Sequence, residues 1–523
     1  MNAQVATAVS VDETRFPPAV MVALAGSFLA NMTAQFASAN LADIQGGLGA
    51  SADEASWITT VYTVASFVGI AVSPVLLRTL GLRRYFIVSA AWFAVCAWLC
   101  AMATSLPSLL AVRALQGLAG GTFGPMAFAA VFLLCKGTQR LQAIALLSFV
   151  LLVSANAGPV VSGPLEAMLG WRALFLAQFW AMALLALAAL RWMPVAPVNR
   201  EGLRTHWPAI ALFALASGAL MLVLSQGARR FWLESPVIAW SLALAIGAAV
   251  GFAVVHRFST LRILDAAKVV ERRFGLSLLL NLLFRSTFAV SAYLIPLLLV
   301  QTQSARPLDL SQTLAWSLLP QIATFPLAWR LLHRVDSRVL MAAGVTLLAG
   351  GVALAGSSTS LVAGEQLRAS LVLIGVGQML FAVPNLVVGA LTLKPQDGPT
   401  ATIAFNLTTL GGMTLGTGLL SHFTIEREKQ HSSVLVEHAS WLAPDTAERL
   451  SLQAAPWSSR FTDDLAGAAS LAQLGGAVRR QAWVLAANDA FALMAAVALL
   501  GLVGIVLLGR CPPLSRSIPG AAS

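Results

Sequence analysis

The chain has 523 residues, of which 58% are hydrophobic and 11% charged, and its mean hydropathy is +0.80. Soluble domains carry roughly 25% charged residues, so this composition excludes a soluble enzyme, a secreted disulfide scaffold and a disordered protein. The net charge of +11 comes from short basic clusters between apolar runs, which reads as membrane topology rather than a nucleic-acid-binding stripe, and no nucleic-acid partner is expected.

A helix crosses the hydrocarbon core in roughly 20 apolar residues. On that length an all-α, polytopic membrane protein with fourteen spans is expected. In chain order they cover 17–39, 56–77, 83–103, 108–133, 141–165, 172–193, 207–226 and 236–256, then 274–301, 311–330, 338–356, 367–392, 399–422 and 484–509. The first 16 residues are polar and the run from Pro17 is long enough to span and stay, so no cleavable signal peptide is expected. The connection 423–483 differs from the others. It is long, polar and mixed in charge, with a short amphipathic helix expected around Pro444–Ala455.

The basic residues orient these spans. With the N-terminus inside, twenty Lys and Arg fall in inner segments, from Arg15, through the cluster Arg78, Arg83 and Arg84, to Arg204, Arg262, Arg510 and Arg516. Five (Arg172, Arg229, Arg230, Arg306 and Arg368) fall in the short outer connections. That asymmetry predicts both termini in the cytoplasm. Trp57, Trp171, Trp207, Trp232, Trp329 and Trp483 stand near predicted span ends, where an indole meets headgroups.

The few polar residues inside spans are the candidate functional groups. Asn31, Gln35 and Ser38 recur at intervals of four and three and share one face of the first span. Such a face lines a cavity or bonds to a neighbouring helix. Cys96 and Cys100, one turn apart, read as small core residues, and no cysteine has zinc-ligand spacing. Arg113, with Gln116, lies inside the fourth span. A cation at that depth costs roughly 2.5–3.5 kcal/mol on insertion scales, so it needs a partner or a wet cavity. Gly158, Pro159, Gly163 and Pro164 make a segment of the fifth span suited to close helix approach and bending. Arg285 is a second intramembrane cation. Gln378, Asn385 and Asn406 are further polar groups expected to face inward, and Asp489 is an acid near the outer end of the last span. Its position there also suits a carboxylate favoured by a helix N-terminus. His422 and His431 flank the long connection and read as solvated. There is no phosphate loop, no H-E-x-x-H and no G-x-S-x-G. No catalysis, cofactor or metal site is expected, and uphill transport would draw on an ion gradient or a partner.

Several motifs carry a resemblance. Ala157-Gly158-Pro159-Val160-Val161-Ser162-Gly163-Pro164 resembles the antiporter motif G-P-x-x-G-G, with Ser162 replacing a glycine, and Trp171-Arg172-Ala173-Leu174-Phe175 follows at the spacing of W-R-x-x-F. Arg113-Ala114-Leu115-Gln116-Gly117 resembles R-x-x-Q-G. Pro74 to Arg84 resembles G-x-L-x-D-R-x-G-R-R, with Pro74 for the glycine and Arg78 for the aspartate, so a latch built on that acid does not carry over. In the first span Thr33 stands where related exporters often have an acid, and Thr408 stands where an arginine is common. Together these resemble the major facilitator superfamily, and within it the 14-span drug:proton antiporter family of EmrB-type multidrug export subunits.

The resemblance implies two six-helix bundles around a central site with two inserted helices between them. On that pattern residues 1–193 form the N-terminal bundle, 194–273 the inserted pair with its cytoplasmic loops, and 274–523 the C-terminal bundle. It further implies proton-driven export of hydrophobic or amphipathic compounds from the bacterial inner membrane. The substrate-binding candidates are Asn31, Gln35, Ser38, Gln378, Asn385 and Asn406. The coupling candidates are Arg113, Gln116, Arg285 and Asp489, and Gly158, Pro159, Gly163 and Pro164 would gate. The two arginines weigh toward neutral or anionic lipophiles. Protons, membrane lipids, an EmrA-type periplasmic adaptor and an outer-membrane channel are the implied partners. An importer or facilitator of a specific metabolite on the same fold, or a non-transporting membrane scaffold or sensor, remains an alternative.

Overall fold

The computed structural model describes residues 16–200, 207–258, 264–394, 397–439, 444–458 and 462–517; Arg15, Arg204 and Arg262 lie outside that set. All regular structure among the described residues is helical. The first part of the chain forms α1 (Pro18–Ala39), α2 (Leu41–Leu48), α3 (Ala52–Met102), α4 (Leu106–Leu134), α5 (Gly137–Leu169) and α6 (Trp171–Trp192). Then come α7 (Trp207–Gln226), α8 (Pro236–Phe258) and the single turn α9 (Ala266–Val269). The rest forms α10 (Arg272–Ser286), α11 (Ile295–Gln303), α12 (Pro307–Arg334), α13 (Ser337–Ala355), α14 (Arg368–Leu391), α15 (Gly398–His438), α16 (Pro444–Ser458), α17 (Asp463–Leu507) and the turn α18 (Leu514–Ser517).

Local sequence sets the main boundaries. Pro18 and Pro307 open α1 and α12 in the first turn, where a missing N–H costs nothing. Ser51 and Glu54 close a capping box at the start of α3. Straight, the 51 residues of α3 would measure roughly 75 Å, more than twice a bilayer core. The chain turns at Gly81 instead, whose φ of 74° suits glycine alone. Here the Arg83 guanidinium donates to the Leu190 carbonyl at the end of α6, and Asn199 N–H donates to Thr79 O at 2.9 Å. The Arg/Gly run that resembles a superfamily motif is thus a tight turn held by arginine capping.

Twelve helices among the described residues are long and apolar enough to cross a membrane. The expected count of fourteen differs at two places. The second and third expected spans are one continuous helix broken only at Gly81. The expected span at 311–330 is the 28-residue α12, whose Asp309, Gln312, Gln321, Arg330 and Arg334 dilute its apolar character. The expected span at 274–301 is itself segmented: α10 ends at Ser286, and residues Val290–Leu294 form a wide π turn before α11. Pro296 has no N–H to offer the carbonyl of Ala292, which favours that local rearrangement.

Helix packing falls into two groups joined along two sides. α1, α3, α4, α5 and α6 pack on one another, as do α10 and α12 to α15 with α17. Aromatic pairs fill both groups, including Phe86–Phe123 at 5.5 Å and Phe284–Phe381 at 4.6 Å between ring centroids. On one side α5 meets α12 directly, with Phe149 against Phe325 at 4.6 Å. On the other, α7 packs against both α3 and α15, and α8 packs on α7. Exposed Trp180, Leu187, Trp240, Val250, Leu319 and Val503 form part of the apolar outer surface that lipid would cover.

The stretch between the apolar parts of α15 and α17 carries the largest departure from expectation. The polar stretch 423–483 is not an open loop. α15 continues to His438, α17 begins at Asp463, and α16 spans the interval where a short helix was expected. We call this end, with the α7–α8 connection, the loop face. The opposite end, with the α4–α5 and α14–α15 connections and the end of α17, is the terminal face.

Candidate functional site

A cavity of about 320 Å³ lies between the two helix groups. Gln35 and Ser38 of α1, a row of hydroxyls on α3 (Ser56, Thr59, Thr60, Thr63, Ser66), Phe288, Ala292 and Tyr293, and Thr414, Thr417 and Ser421 of α15 form its walls. Ser225 and Gln226 at the end of α7, and Arg229 just beyond it, complete the lining near the loop face, while Arg113 reaches it from α4. No Asp or Glu is among the lining residues. A second, smaller recess of about 70 Å³ adjoins it, sharing Gln35, Ser38, Phe288 and Met413 and adding Asn156, Pro159, Ser291 and Leu314. The combination of a polar wall with Phe288, Leu410 and Met413 suits amphipathic occupants.

Arg113 is 1% exposed. Its Nη1 donates to Gln116 Oε1 at 2.7 Å, and Gln116 Nε2 donates to Gln178 Oε1 at 2.9 Å. The guanidinium lies 4.1 Å from the centre of the Tyr62 ring. Its Nε and Nη2 find no hydrogen-bond partner among the described residues. Arg285, 3% exposed, donates from Nη1 to the Leu151 carbonyl at 3.3 Å and sits 5.1 Å from the Phe288 ring centre. Among the described residues no carboxylate pairs with either arginine. The interior is therefore cationic, its two guanidinium groups held by aromatic rings, one amide oxygen and one backbone carbonyl.

A polar chain joins the two groups behind the smaller recess. Asn156 Nδ2 donates to Gln378 Oε1 at 3.4 Å, Ser291 Oγ donates to Asn156 Oδ1 at 3.4 Å, and Gln321 Nε2 also bonds Gln378. Of the sequence candidates, Gln35 and Ser38 thus line the cavity and Gln378 anchors this chain. Asn31 does not join them: its amide donates to Ser27 O at 2.9 Å within α1. Asn385 also lies elsewhere, toward the terminal face, donating to Ser277 O at 3.2 Å and accepting from Ser277 Oγ at 3.1 Å. Asn406 donates to Thr402 O at 2.7 Å and rests against Gly124. These two asparagines belong to helix seams rather than to the cavity.

The glycines do what their size permits. A Cβ on Gly158 would come within 2.5 Å of Gln35 Cβ, so α5 and α1 cross almost in backbone contact, with Pro159 lining the smaller recess. Gly163 meets the Pro307 carbonyl of α12, where a Cβ would lie at 2.5 Å. Pro164 follows inside the same helix. Toward the terminal face the two groups are shut: Phe128 stacks on Phe405 at 5.8 Å, and Gly124 accepts the Asn406 side chain.

Asp489 is a different kind of site. Its Oδ2 accepts from Arg427 at 2.5 Å and from His431 Nε2 at 2.7 Å, tying α17 to the extension of α15. It is not at a helix start, since α17 begins far upstream at Asp463, so a helix-dipole role does not apply. His431 is correspondingly a bridging residue, and His422 packs edge-on against Trp232 at 5.6 Å, so neither is a merely solvated side chain. Tyr62, Asn156, Gln178, Gln226 and Gln321 were not among the residues expected from the sequence. An amide inside an apolar run was the available signal for four of them. Tyr62 gave none.

The sequence profile described as Major Facilitator Superfamily matches residues 23–284, half of the chain. The chain belongs to the Major Facilitator Superfamily. Among curated relatives of this superfamily member, the multidrug export protein EmrB of Haemophilus influenzae is 25% identical over 525 residues, covering 95% of this chain and 98% of the relative. The colistin resistance protein EmrB of Acinetobacter baumannii is 25% identical over 347 residues, covering 65% and 68%. Among solved structures, the human organic anion transporter MFSD10 superposes with a TM-score of 0.60 at 14% identity, covering 93% of this chain and 99% of that one. This last likeness bears on the fold. The chain is thus a multi-pass, all-helical superfamily transporter with EmrB-type relatives.

Proposed function

We propose that this chain exports hydrophobic or amphipathic compounds across a bacterial inner membrane in exchange for protons. The observation that carries the reading is the cavity between the two helix groups, lined with hydroxyls and amides toward the loop face and closed at the terminal face by Phe128, Phe405 and the Gly124–Asn406 contact. Relatives named as multidrug export proteins, aligned over nearly the whole chain, support the substrate class. Counting α3 as two crossings at Gly81, and α12 as one, brings the twelve apolar helices to fourteen crossings. Both termini then lie in the cytoplasm, in keeping with the basic clusters at the terminal face. For the domain limits we propose 1–193, 194–273 and 274–523, a division that the two packing groups and the α7–α8 pair support.

In this reading the substrate leaves through the loop face, and the closed seam opens in the alternate state to admit it from the cytoplasm. Proton binding biases the two states through their differential affinity. The coupling groups we propose are the Arg113–Gln116 pair with Gln178, Arg285, and the Asp489 bridge. No carboxylate lines the cavity, so protons act on this polar network or at its rim, not by replacing a cation at a central acid. Gly158, Pro159, Gly163 and Pro164 hold α5 close enough to α1 and α12 to seal the path during exchange. The α15–α16–α17 extensions offer a surface for an EmrA-type adaptor that leads to an outer-membrane channel. No catalytic step is assigned.

The test is dye uptake into everted membrane vesicles energised by a proton gradient. Uptake that stops when the gradient is collapsed supports the reading, and loss of uptake in Arg113→Ala supports that residue's role. Uptake indifferent to the gradient would remove proton coupling, and uptake only in right-side-out vesicles would favour an importer.

A further inference from the structure

α7 is one of two helices that the two-bundle plan does not require, yet its last turn is built into the cavity. Gln226 is almost fully buried, and its Nε2 donates to Thr60 Oγ1 at 2.6 Å and Ser56 Oγ at 3.1 Å, both on α3. The neighbouring Ser225 hydroxyl lies 2.8 Å from Thr60 Oγ1. Beyond the helix end, Arg229 pairs with Asp53 at 3.5 Å, and Arg230 lies 5.2 Å from the Trp57 ring centre. The polar and charged contacts of this helix end therefore run to α3. Toward α15 the contact is one of fit: a Cβ on Gly418 would lie 2.1 Å from the Leu224 carbonyl.

We propose that α7 is a working wall of the transport cavity, with Ser225 and Arg229 as specificity-determining residues and Gln226 as the positioning residue that holds them against α3. This rests on the exporter reading above. Two observations favour it over a passive spacer. Ser225, Gln226 and Arg229 all line the main cavity, and Arg229 with Arg113 supplies the charge of its lining. A buried glutamine bonded to two hydroxyls on a neighbouring helix is also a costly group to keep where lipid-filling side chains would do. Asp53 shares the mouth with Arg229, so that rim is a charge pair open to one-sided change.

The experiment uses the full chain in everted vesicles, with Nile red (neutral), 8-anilinonaphthalene-1-sulfonate (anionic) and ethidium (cationic) as probes. Ser225→Trp is expected to lower kcat/KM at least tenfold for the dye that wild type moves fastest. Leu220→Trp, on an exposed position of the same helix, stays within twofold. Ser225→Cys, the milder change, transports until a water-soluble methanethiosulfonate is added from the lumen, and reductant restores it; Leu220→Cys is indifferent. Arg229→Glu lowers KM for the cationic dye several-fold at low salt, and the effect fades at high ionic strength. Gln226→Leu raises KM more than it lowers kcat, and Gln226→Asn recovers less than half of the loss. Ser225→Trp within twofold of wild type, or Ser225→Cys insensitive to the reagent, would overturn the proposal. If wild type moves none of the dyes, the exporter reading falls first.

Discussion

The contact between Gly124 and Asn406 offers a direct handle on the equilibrium between states. It joins α4 to α15 toward the terminal face, across the seam that must part for the cavity to open there. A Cβ on Gly124 would lie 2.1 Å from Asn406 Oδ1 and 3.1 Å from its Cγ. Asn406 cannot simply swing aside, because its amide donates to Thr402 O at 2.7 Å. Overpacking of this kind costs about 1–3 kcal/mol. Gly124→Ala belongs at the lower end, since a side-chain tip can yield a little, and Gly124→Val at the upper end. The penalty applies only while the seam is closed. At about 1.4 kcal/mol per factor of ten, the ratio of closed to open seam falls by roughly 5-fold in Gly124→Ala and by roughly 150-fold in Gly124→Val. The assay is a pulsed spin-label distance between Thr138 and Lys394, exposed positions on the two sides of the terminal face, with the native cysteines replaced. A longer-distance population that grows from Ala to Val is expected. Gly247→Ala, with open space around it, leaves the distribution unchanged. An unchanged distribution in Gly124→Val at normal thermal stability would refute the reasoning.

Three further outcomes follow. Gly121→Ala places a Cβ 2.0 Å from the Ser66 carbonyl; because that obstacle is backbone, the α3–α4 contact loses about 1–3 kcal/mol, read as a lower Tm in detergent, and an unchanged Tm would count against so close a crossing. Asp489→Asn removes the shared anion of Arg427 and His431; the site is half-exposed, so stability falls by about 1 kcal/mol or less, while cleavage of the α15–α17 extensions by added protease speeds up, and unaltered cleavage would deny the bridge its structural role. Hydrogen bonds from the Ser51 backbone and side chain hold the Glu54 carboxyl below its ordinary pKa. Its stabilising contribution is therefore present above the unfolded value and lost as pH falls through the lowered folded one. Ser51→Ala should lower Tm at pH 7 and converge with wild type in acid, and a difference that grows in acid would reverse that sign.

The bilayer explains which features the sequence disclosed. Lipid imposes a length and an apolar composition on each crossing, so α1, α4 and α14 stand out as runs of hydrophobic residues. Gly81 and its neighbouring arginines marked a turn for the same reason. α12 was legible as a span over 311–330, although its buried Ser317 and Gln321 serve the interior at the expense of hydropathy. Isolated polar residues announced that an interior site exists, but not who meets whom. Gln378 finds Asn156 across 222 positions of sequence, whereas Asn31 folds back onto Ser27 one turn away. Helical spacing fixes the face a residue occupies, not the helix that will cover it. The 423–483 stretch misled through its polarity, since helices that leave the membrane keep their hydrogen bonds while exchanging apolar for charged surface.

The most direct measurement is proton movement by the purified full chain in proteoliposomes, recorded with an interior pH dye while a transported compound is added. A substrate-dependent proton flux opposite to the substrate is expected, lost in Arg113→Ala and restored in part by Arg113→Lys. Substrate movement with no accompanying proton flux, in protein shown to be folded, would contradict it.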